Sequence, residues 1–407
     1  MQALSQMSVA KVRMTTASGL EAALTAFEDP AAKARDLLRL HRTWAHTREV
    51  PQGARGVVAR SWLRQTPEGD KVSRPISDDA LLGRRERSQL LSSVVPLLKE
   101  RLLPLAHEAG NELVISDDEG YPLWMFGPSP VRRQSDGLGF VEGARWREGD
   151  VGTNALGTAM EERRPVQIFG PEHAREDQHA WVCTSAPILD RRARMPLGVV
   201  TLSGAFRTAH PHTLMLVTMA VREAVEKLAG EHERDLRRVA RASEPCAGAG
   251  RFVVVDRHGW VARAEGYGVG ERVWVPSSLR AGSLWVPEIG QVRAEAISGG
   301  WVLHEDVALA AAVRVEVVRR PPAHVVVASG DTTVEVPLSE RHAEIVALLA
   351  EHPAGLDTAA LMARLDGVGS PVTIRAEMSR LRKRLGGLIE SRPYRLTAPA
   401  TVRADTP

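Results

Sequence analysis

The sequence predicts a multidomain α+β protein with N-terminal helices, an α/β domain, a small β-rich module and a C-terminal domain of short helices and a hairpin. Three observations predict this order. Strand and helix patterns are mixed over residues 112–241, a linker-like SEPCAGAG stretch follows at 243–250, and the last 70 or so residues are mainly helical. The 407 residues are enough for about two to four domains.

Composition restricts the classes of function. Apolar residues make up 43% and charged residues 25%, which are ordinary values for a folded protein. The net charge is only +3, so any basic function must be local. Two cysteines, Cys183 and Cys246, exclude a disulfide scaffold and fit a reducing compartment. Without a membrane-span pattern or a signal peptide, we expect a cytoplasmic protein with no membrane contact.

The N-terminal helical region is predicted over residues 1–84. Residues 1 to about 30 show no strong period. Beyond them the patterns predict a helix over Pro30–Arg48, a turn-rich stretch over Pro51–Pro75, and a long helix from Asp78 to about Glu108 that Pro96 and Pro104 break or kink.

The α/β domain is predicted over residues 85–242. Its predicted elements are a hairpin of Glu112–Ser116 and Tyr121–Phe126, a short helix over Asn154–Glu162, a strand over Pro165–Phe169, a second hairpin of Trp181–Asp190 and Leu197–Ser203 with a basic turn at 191–194, and a long helix over Pro211–Arg241.

The string WREGDVGTNALGTAMEERRPVQIFGPEH, Trp146–His173, is the most specific in the chain. Together with His179-x-Trp181-x-Cys183, the Leu-Gly-Val strand and the Pro-His-Thr helix, it resembles the sensory GAF domain of acetoin-catabolism-type activators. The resemblance covers about residues 85–240 and implies a GAF-like sensor of an unknown small-molecule effector.

The candidate ligand-binding residues lie in these motifs: Trp146, Thr153, Asn154, His173, His179, Trp181 and Cys183. We expect the pocket between the strands of Glu112–Phe126 and Trp181–Ser203 and the segment Trp146–Glu162, with a small and mostly apolar occupant. Thr153 is expected to cap the helix, and Asn154 to hydrogen-bond across the pocket mouth; the alternative is that Gly-Thr-Asn only shapes a turn.

Imidazole and thiolate groups at His173, His179 and Cys183 suit a transition metal or haem. Five and then three residues separate them, which does not place them on one helix face. Packing or pocket lining is therefore the favoured interpretation, and neither a metal nor a cofactor is expected. A redox-sensing role for Cys183 is a further alternative, which requires an exposed thiol of lowered pKa.

The small β-rich module is predicted over residues 251–312, and a DNA-binding domain over 313–397, with a tail at 398–407.

Ser339, Asp357 and Ser370 are the predicted caps of three helices, and Gly367 ends the second. Leu388–Glu390 and Tyr394–Thr397 are predicted to form a terminal hairpin. In the third helix Ile374, Met378, Leu381 and Leu385 form one buried stripe. Three short helices plus a hairpin are the winged helix-turn-helix plan.

Four Arg and one Lys against one Glu give the segment between Pro371 and Gly386 a charge of +4, more than that of the whole chain. The alternative is a merely solvated face. The strings VEVPLSERHAEIVALLAEHPAGLDTAALMARL, GSPVTIRAEMSRLRKRLG and RPYRL resemble the winged-helix domains of bacterial response-regulator-type proteins. The resemblance implies double-stranded DNA as partner. The candidate DNA-binding residues are Thr373, Arg375, Ser379, Arg380, Arg382, Lys383 and, in the hairpin, Arg392.

These features favour a bacterial one-component transcription regulator, which is not an enzyme. The chain has no Gly-x-x-x-x-Gly-Lys-Ser/Thr phosphate loop, and Arg251–Arg320 is too short for the central ATPase of the activators it resembles, so it is expected to bind an operator without ATP hydrolysis. The alternative is a signalling adaptor whose basic helix docks an acidic protein. Salt dependence distinguishes the two.

A homodimer is expected through the long helix and the N-terminal helices. The apolar residues of the long helix are spaced three, four, three and four: Leu214, Val217, Val221, Ala224 and Leu228. Two heptads are short for a coiled coil. The alternative is that this stripe packs on the sheet of its own domain.

Overall fold

The structure is a computed structural model that describes residues 21–65, 73–190, 192, 195–246, 250–276, 279–306, 313–329, 332–365 and 370–403. It contains both helices and several sheets, in agreement with the predicted mixture. The chain forms two compact units, divided between Glu231 and His232. The predicted end of one helix at Gly367 lies outside the described residues.

The first unit begins with four helices: α1 Pro30–Thr47, α2 Gly56–Arg64, α3 Asp78–Arg87 and α4 Gln89–Ala109. The prediction of a turn-rich stretch was wrong at α2, where Val57, Val58 and Trp62 are buried on one side of a short amphipathic helix. The predicted break at Pro96 and Pro104 was also wrong, because α4 runs through both prolines; the kink stays a prediction. Pro96 and Pro104 lie on the exposed side of α4, where water can satisfy the carbonyls that lose a backbone partner, and the helices instead separate at Ser88.

A five-stranded antiparallel sheet organises this unit, in the order β2-β1-β5-β4-β3. Both predicted hairpins are confirmed. The strands are β1 Glu112–Asp117, β2 Pro122–Phe126, β3 Val166–Phe169, β4 Trp181–Ile188 and β5 Gly198–Ala205, and the helices between them are α5 Ser129–Gly137, α6 Glu148–Val151 and α7 Ala155–Glu162.

Both faces of the sheet are buried. Leu113 and Ile115 of β1 belong to the core that contains α4, whereas Val114 between them belongs to the core that contains α7, Trp44 and Trp62. This alternation is the period-two pattern of a strand with two covered faces. Helices α1 and α2 therefore contribute to the core on one face of this sheet.

The long helix, α8 Pro211–Ala242, covers the opposite face of the sheet. The five residues of its predicted coiled-coil stripe are between 0 and 5% exposed, and four of them belong to the core with α4 and β1. The use of this stripe for a dimer was therefore wrong, because these side chains already pack within their own domain. The alternative interpretation is confirmed.

Glu112 is a carboxyl group buried at the start of β1. One oxygen accepts a hydrogen bond from Ser135 Oγ at 2.9 Å and lies 3.4 Å from Arg132 Nη1, while the other has no partner. Burial raises the pKa of Glu112 to about 7. Its folded-state pKa is thus above the unfolded value of about 4.3, so its contribution to stability is lost as the pH rises through this interval.

Glu112→Gln is therefore expected to become more favourable as the pH rises, because glutamine needs no proton to be neutral. Relative to the parent chain, its free energy of unfolding should gain about 3 kcal/mol between pH 4 and pH 8. Urea unfolding at both pH values measures this gain. The matched control is Glu100→Gln on the exposed side of α4. A pH-independent difference for Glu112→Gln would contradict the prediction.

The second unit contains two larger sheets. The first has the order β7-β6-β10-β9-β8, and the second the order β13-β12-β11-β16. The strands are β6 Phe252–Asp256, β7 Val261–Glu265, β8 Gly282–Val286, β9 Gly290–Ile297, β10 Gly300–Glu305, β11 Arg314–Val318, β12 His324–Ser329, β13 Thr332–Pro337 and, after the hairpin strands β14 Ile389–Ser391 and β15 Tyr394–Leu396, β16 Ala400–Val402. Residues of the predicted tail thus pair in parallel with β11.

Three helices pack beside the second sheet: α9 Glu340–Glu351, α10 Thr358–Met362 and α11 Pro371–Leu385. The three predicted caps are confirmed, since Ser339, Asp357 and Ser370 each accept a hydrogen bond from a backbone N–H of the first turn. The predicted stripe of α11 is also buried, and packs in a core with residues of α9 and α10. The hairpin of β14 and β15 follows directly.

Candidate functional site

A small cavity lies in the first unit beside strands β4 and β5. Its volume is about 30 Å³, which is space for about two water molecules. Five of the seven candidate ligand-binding residues line it: Trp146, Asn154, His173, Trp181 and Cys183. The other lining residues are Leu138, Phe140, Ala155, Leu156, Gln178, Thr201 and Ser203. The hairpin of Glu112–Phe126, expected on one side of the pocket, contributes no lining residue.

Asn154 has a capping role rather than the one expected across the pocket mouth. Its Oδ1 accepts a hydrogen bond from Gly157 N at 2.9 Å, and its Nδ2 donates to Gly152 O at 2.9 Å. Asn154, and not Thr153, is therefore the cap of α7. Thr153 is buried outside the cavity lining, with its hydroxyl 2.7 Å from Ser61 Oγ.

Steric constraints explain why glycine occupies two positions of the same motif. Gly152 has a φ of +75°, a conformation that favours glycine. A Cβ at Gly157 would lie 2.6 Å from the backbone nitrogen of Glu148. Glu148 is buried and accepts hydrogen bonds from Arg64 at 2.7 and 2.9 Å and from Ser61 Oγ at 2.6 Å. Much of the motif thus joins α2 to α6 and α7.

The two candidate histidines have different positions. His173 is buried, and its Nδ1 lies 2.9 Å from Gly170 O, while its Nε2 has no hydrogen-bond partner. Burial lowers the pKa of His173 to about 4. His179 does not line the cavity; its Nε2 lies 3.3 Å from His173 O, and its ring meets that of His41 edge to face at 4.5 Å.

The thiol of Cys183 is held in its neutral form. Burial raises the pKa of Cys183 to about 12, and Ser203 Oγ donates to its sulfur at 3.2 Å. Such a thiol has no thiolate character at neutral pH, which argues against the redox-sensing alternative. Within the described ranges, no group of three or more His, Cys, Asp or Glu side chains is arranged to hold a metal ion.

Several residues of the cavity are not among the candidates predicted from the sequence. Ser203 is the antiparallel partner of Cys183, and Thr201 lies two residues along the same strand, so correct strand pairing would have found both. Gln178 is the last residue of a short 3-10 helix, and no local sequence pattern indicates that it lines a cavity. Its Nε2 is buried without a hydrogen-bond partner.

All seven candidate DNA-binding residues are exposed. Arg375, Ser379, Arg382 and Lys383 line one open groove, as their spacing along α11 requires. The hairpin residues Ser391 and Tyr394 continue this groove. Arg392 lies in the hairpin turn.

The remaining two candidates make local contacts. Arg380 forms an ion pair with Glu377, which also lies 3.0 Å from His342 Nε2. Thr373 lies in the first turn of α11, with its hydroxyl 3.0 Å from Ser370 Oγ. Neither lines the groove.

The turn between β8 and β9 forms another wall of the groove through Pro287 and Glu288. The Glu288 carboxylate accepts from Trp274 N at 3.3 and 3.2 Å, and burial raises its pKa. This turn approaches the end of α11 closely, since a Cβ on Gly386 would lie 1.5 Å from Pro287 O. An acidic side chain thus lies in the same groove as three cations.

The first unit is similar to parts of known transcriptional activators. The family described as MimR, N-terminal domain, matches residues 91–226. AcoR of Bacillus subtilis, an acetoin dehydrogenase operon transcriptional activator, is 34% identical over 173 residues, 42% of this chain and 28% of AcoR. MimR of Mycolicibacterium smegmatis, a propane 2-monooxygenase operon transcriptional activator, is 25% identical over 44% of this chain and 30% of MimR. These relatives are activators of transcription and not enzymes, and the chain spans less than a third of their length.

A longer match exists in Rhodococcus erythropolis. The uncharacterized 47.3 kDa protein in the thcA 5′ region is 32% identical over 387 residues, which are 92% of this chain and 72% of that protein. The chain belongs to the same family as this protein. Among solved structures, the Escherichia coli DhaR(N)–DhaL complex contains a chain with a TM-score of 0.41 and 17% identity, covering 61% of this chain and 99% of that one. No helix in the described ranges is long and apolar enough to cross a membrane.

Proposed function

We propose that this chain is a DNA-binding transcription regulator. Its GAF-like domain senses a small molecule, and its C-terminal winged helix binds an operator without ATP hydrolysis. The observation that carries the proposal is the groove of α11, where three cations and a serine are exposed beside a hairpin while the opposite side of the helix is buried. Arginine and lysine at such positions contact phosphates and base edges of double-stranded DNA.

The sensor half of the proposal rests on the cavity. It is lined by aromatic and small polar side chains, and it lies in the region shared with transcriptional activators. The absence of a phosphate-binding loop from the sequence supports regulation by DNA occupancy alone. Such a protein acts in the cytoplasm, where DNA and metabolites are both present.

We also propose a homodimer, with a second copy as the occupant of an exposed surface between α4 and α8. Leu105, Leu216 and Met219 are 43, 44 and 55% exposed there. Arg101 and Glu223 lie in the same surface and pair at 2.7 Å. An isologous dimer about a two-fold axis would cover these apolar side chains, and the Arg101–Glu223 pair leaves the surface charge-balanced.

The direct test is selection of duplexes from a random DNA pool by the full chain, followed by measurement of affinity against salt. We expect an enriched sequence motif, and an affinity that falls linearly on a log–log plot with a slope of about −0.9 per phosphate contact. Lys383→Ala should reduce that slope by about one unit, with Lys99→Ala on α4 as the control. Binding to acidic peptides and not to DNA would instead support the adaptor alternative.

A further inference from the structure

The face of α11 that lies opposite its buried stripe is partly apolar. The stripe consists of Ile374, Met378, Leu381 and Leu385. The residues two positions before each of these lie about 200° around the helix, on the opposite face: Val372, Ala376, Ser379 and Lys383. Ser379 and Lys383 line the groove of α11, and Val372 and Ala376 continue the same face toward the N-terminal end of the helix.

Val372 is 69% exposed in the first turn of α11. It is not among the described side chains that form or flank the core of α9, α10 and α11. Valine is also unfavourable here on intrinsic grounds, because its branched side chain loses rotamer freedom in a helix. Neither core packing nor helix propensity therefore explains this residue, whereas a partner that covers it would.

The charges on the same helix indicate the class of this partner. Arg375, Arg382 and Lys383 are exposed in the groove, and three cations on one helix attract a polyanion. The major groove of DNA admits an α-helix, whose N-terminal residues contact the base edges in helix-turn-helix proteins. The apolar group that these edges present is the C5-methyl group of thymine. An apolar side chain in the first turn of a basic helix matches this combination.

We propose that Val372 determines specificity by contacting the C5-methyl group of a thymine in the operator. This inference rests on the proposed DNA-binding function and assigns one position of the operator. Cytosine presents an amine donor in the major groove, and adenine and guanine present the N7 acceptor. An isopropyl group would remove water from those polar groups without replacing their hydrogen bonds. The contact therefore favours thymine over the other three bases.

The test removes a single methyl group from the DNA. Each thymine of the selected duplex is replaced in turn by deoxyuridine, which keeps the same base pairing and lacks only the C5-methyl group. Fluorescence anisotropy measures the affinity of the full chain for each duplex. At one thymine or more we expect binding to weaken about fourfold, equivalent to about 0.8 kcal/mol for one buried methyl group. If no replacement weakens binding, the inference is overturned.

Val372→Ala tests the residue itself. Because alanine ends at Cβ, the variant should bind the thymine and the deoxyuridine duplex equally at that position. Val372→Ile keeps an apolar contact and should keep the preference for thymine. Both variants should fold, since the position is exposed. The control is Leu82→Ala on α3, where the side chain is 54% exposed, and it should retain the fourfold difference.

The inference and the proposed function fail in different ways. A random DNA pool from which the full chain enriches no sequence would remove the DNA-binding function, and the role of Val372 with it. An enriched sequence whose affinity does not respond to deoxyuridine would leave the regulator function standing and overturn the role of Val372 alone. A thymine preference that persists unchanged in Val372→Ala would do the same, because another residue would then make the methyl contact.

Discussion

Replacing Arg375 and Arg382 together with alanine is expected to weaken binding of the full chain to its selected DNA by about 2–6 kcal/mol, or roughly 30-fold to 10⁴-fold, at physiological salt. Both side chains are exposed in the groove of α11, whereas the apolar stripe of the same helix is buried. Each substitution removes a guanidinium group that can make a bidentate contact with a base or a contact with a phosphate. Fluorescence anisotropy with the selected duplex measures the loss.

The matched control removes the same charge elsewhere. Arg314 at the start of β11 and Arg403 after β16 are exposed, and their double alanine variant should bind DNA nearly as the parent does. Glu288→Gln should act in the opposite direction, because it removes a negative charge from the groove wall. If the control pair weakened binding as much as the test pair, the effect would be general charge and α11 would not be the recognition helix.

Arg55→Ala is expected to lower the free energy of unfolding of the first unit by about 3–5 kcal/mol. Arg55 precedes α2 and donates to both oxygens of Glu172, at 2.7 and 2.6 Å, and to Gln167 O at 2.5 Å. The Glu172 side chain is only 1% exposed. Removing the guanidinium leaves that carboxylate charged, buried and without its counter-ion. For a unit of this size the midpoint of thermal unfolding should fall by roughly 6–20 °C.

Calorimetry of the full chain measures this change, and Arg39→Ala is the control. Arg39 pairs with Asp36 on the exposed side of α1, with 73% and 66% of the side chains exposed, so its loss should cost well under 1 kcal/mol. The double variant Arg55→Met, Glu172→Leu should recover much of the stability, since no unpaired charge remains. A loss in Arg55→Ala no larger than that in Arg39→Ala would show that the pair does not hold the N-terminal helices on the sheet.

Local features were predictable because their causes lie within a few residues. Ser339, Asp357 and Ser370 cap helices through backbone groups three positions away, and the stripe of α11 repeats every three or four residues. The hairpins follow from period two and a turn. Where the local signal was weak or ambiguous, the prediction failed: α2 has nine residues in a stretch rich in turn formers, and Pro96 is tolerated only because its side of α4 is exposed.

The mixed helix and sheet content, the strands of the α/β domain and the capped, basic α11 could all be predicted from the sequence. The folded chain was needed to show that Gln178, Phe140 and Ser203 share one cavity with Trp146, and that the stripe of α8 is buried in its own domain. It also decided that Glu288 lies in the groove of α11. These contacts join residues that lie far apart along the chain. Burial, cavity lining and unpaired hydrogen-bonding atoms depend on residues tens of positions apart, and no periodicity within one segment records which other segment will cover it.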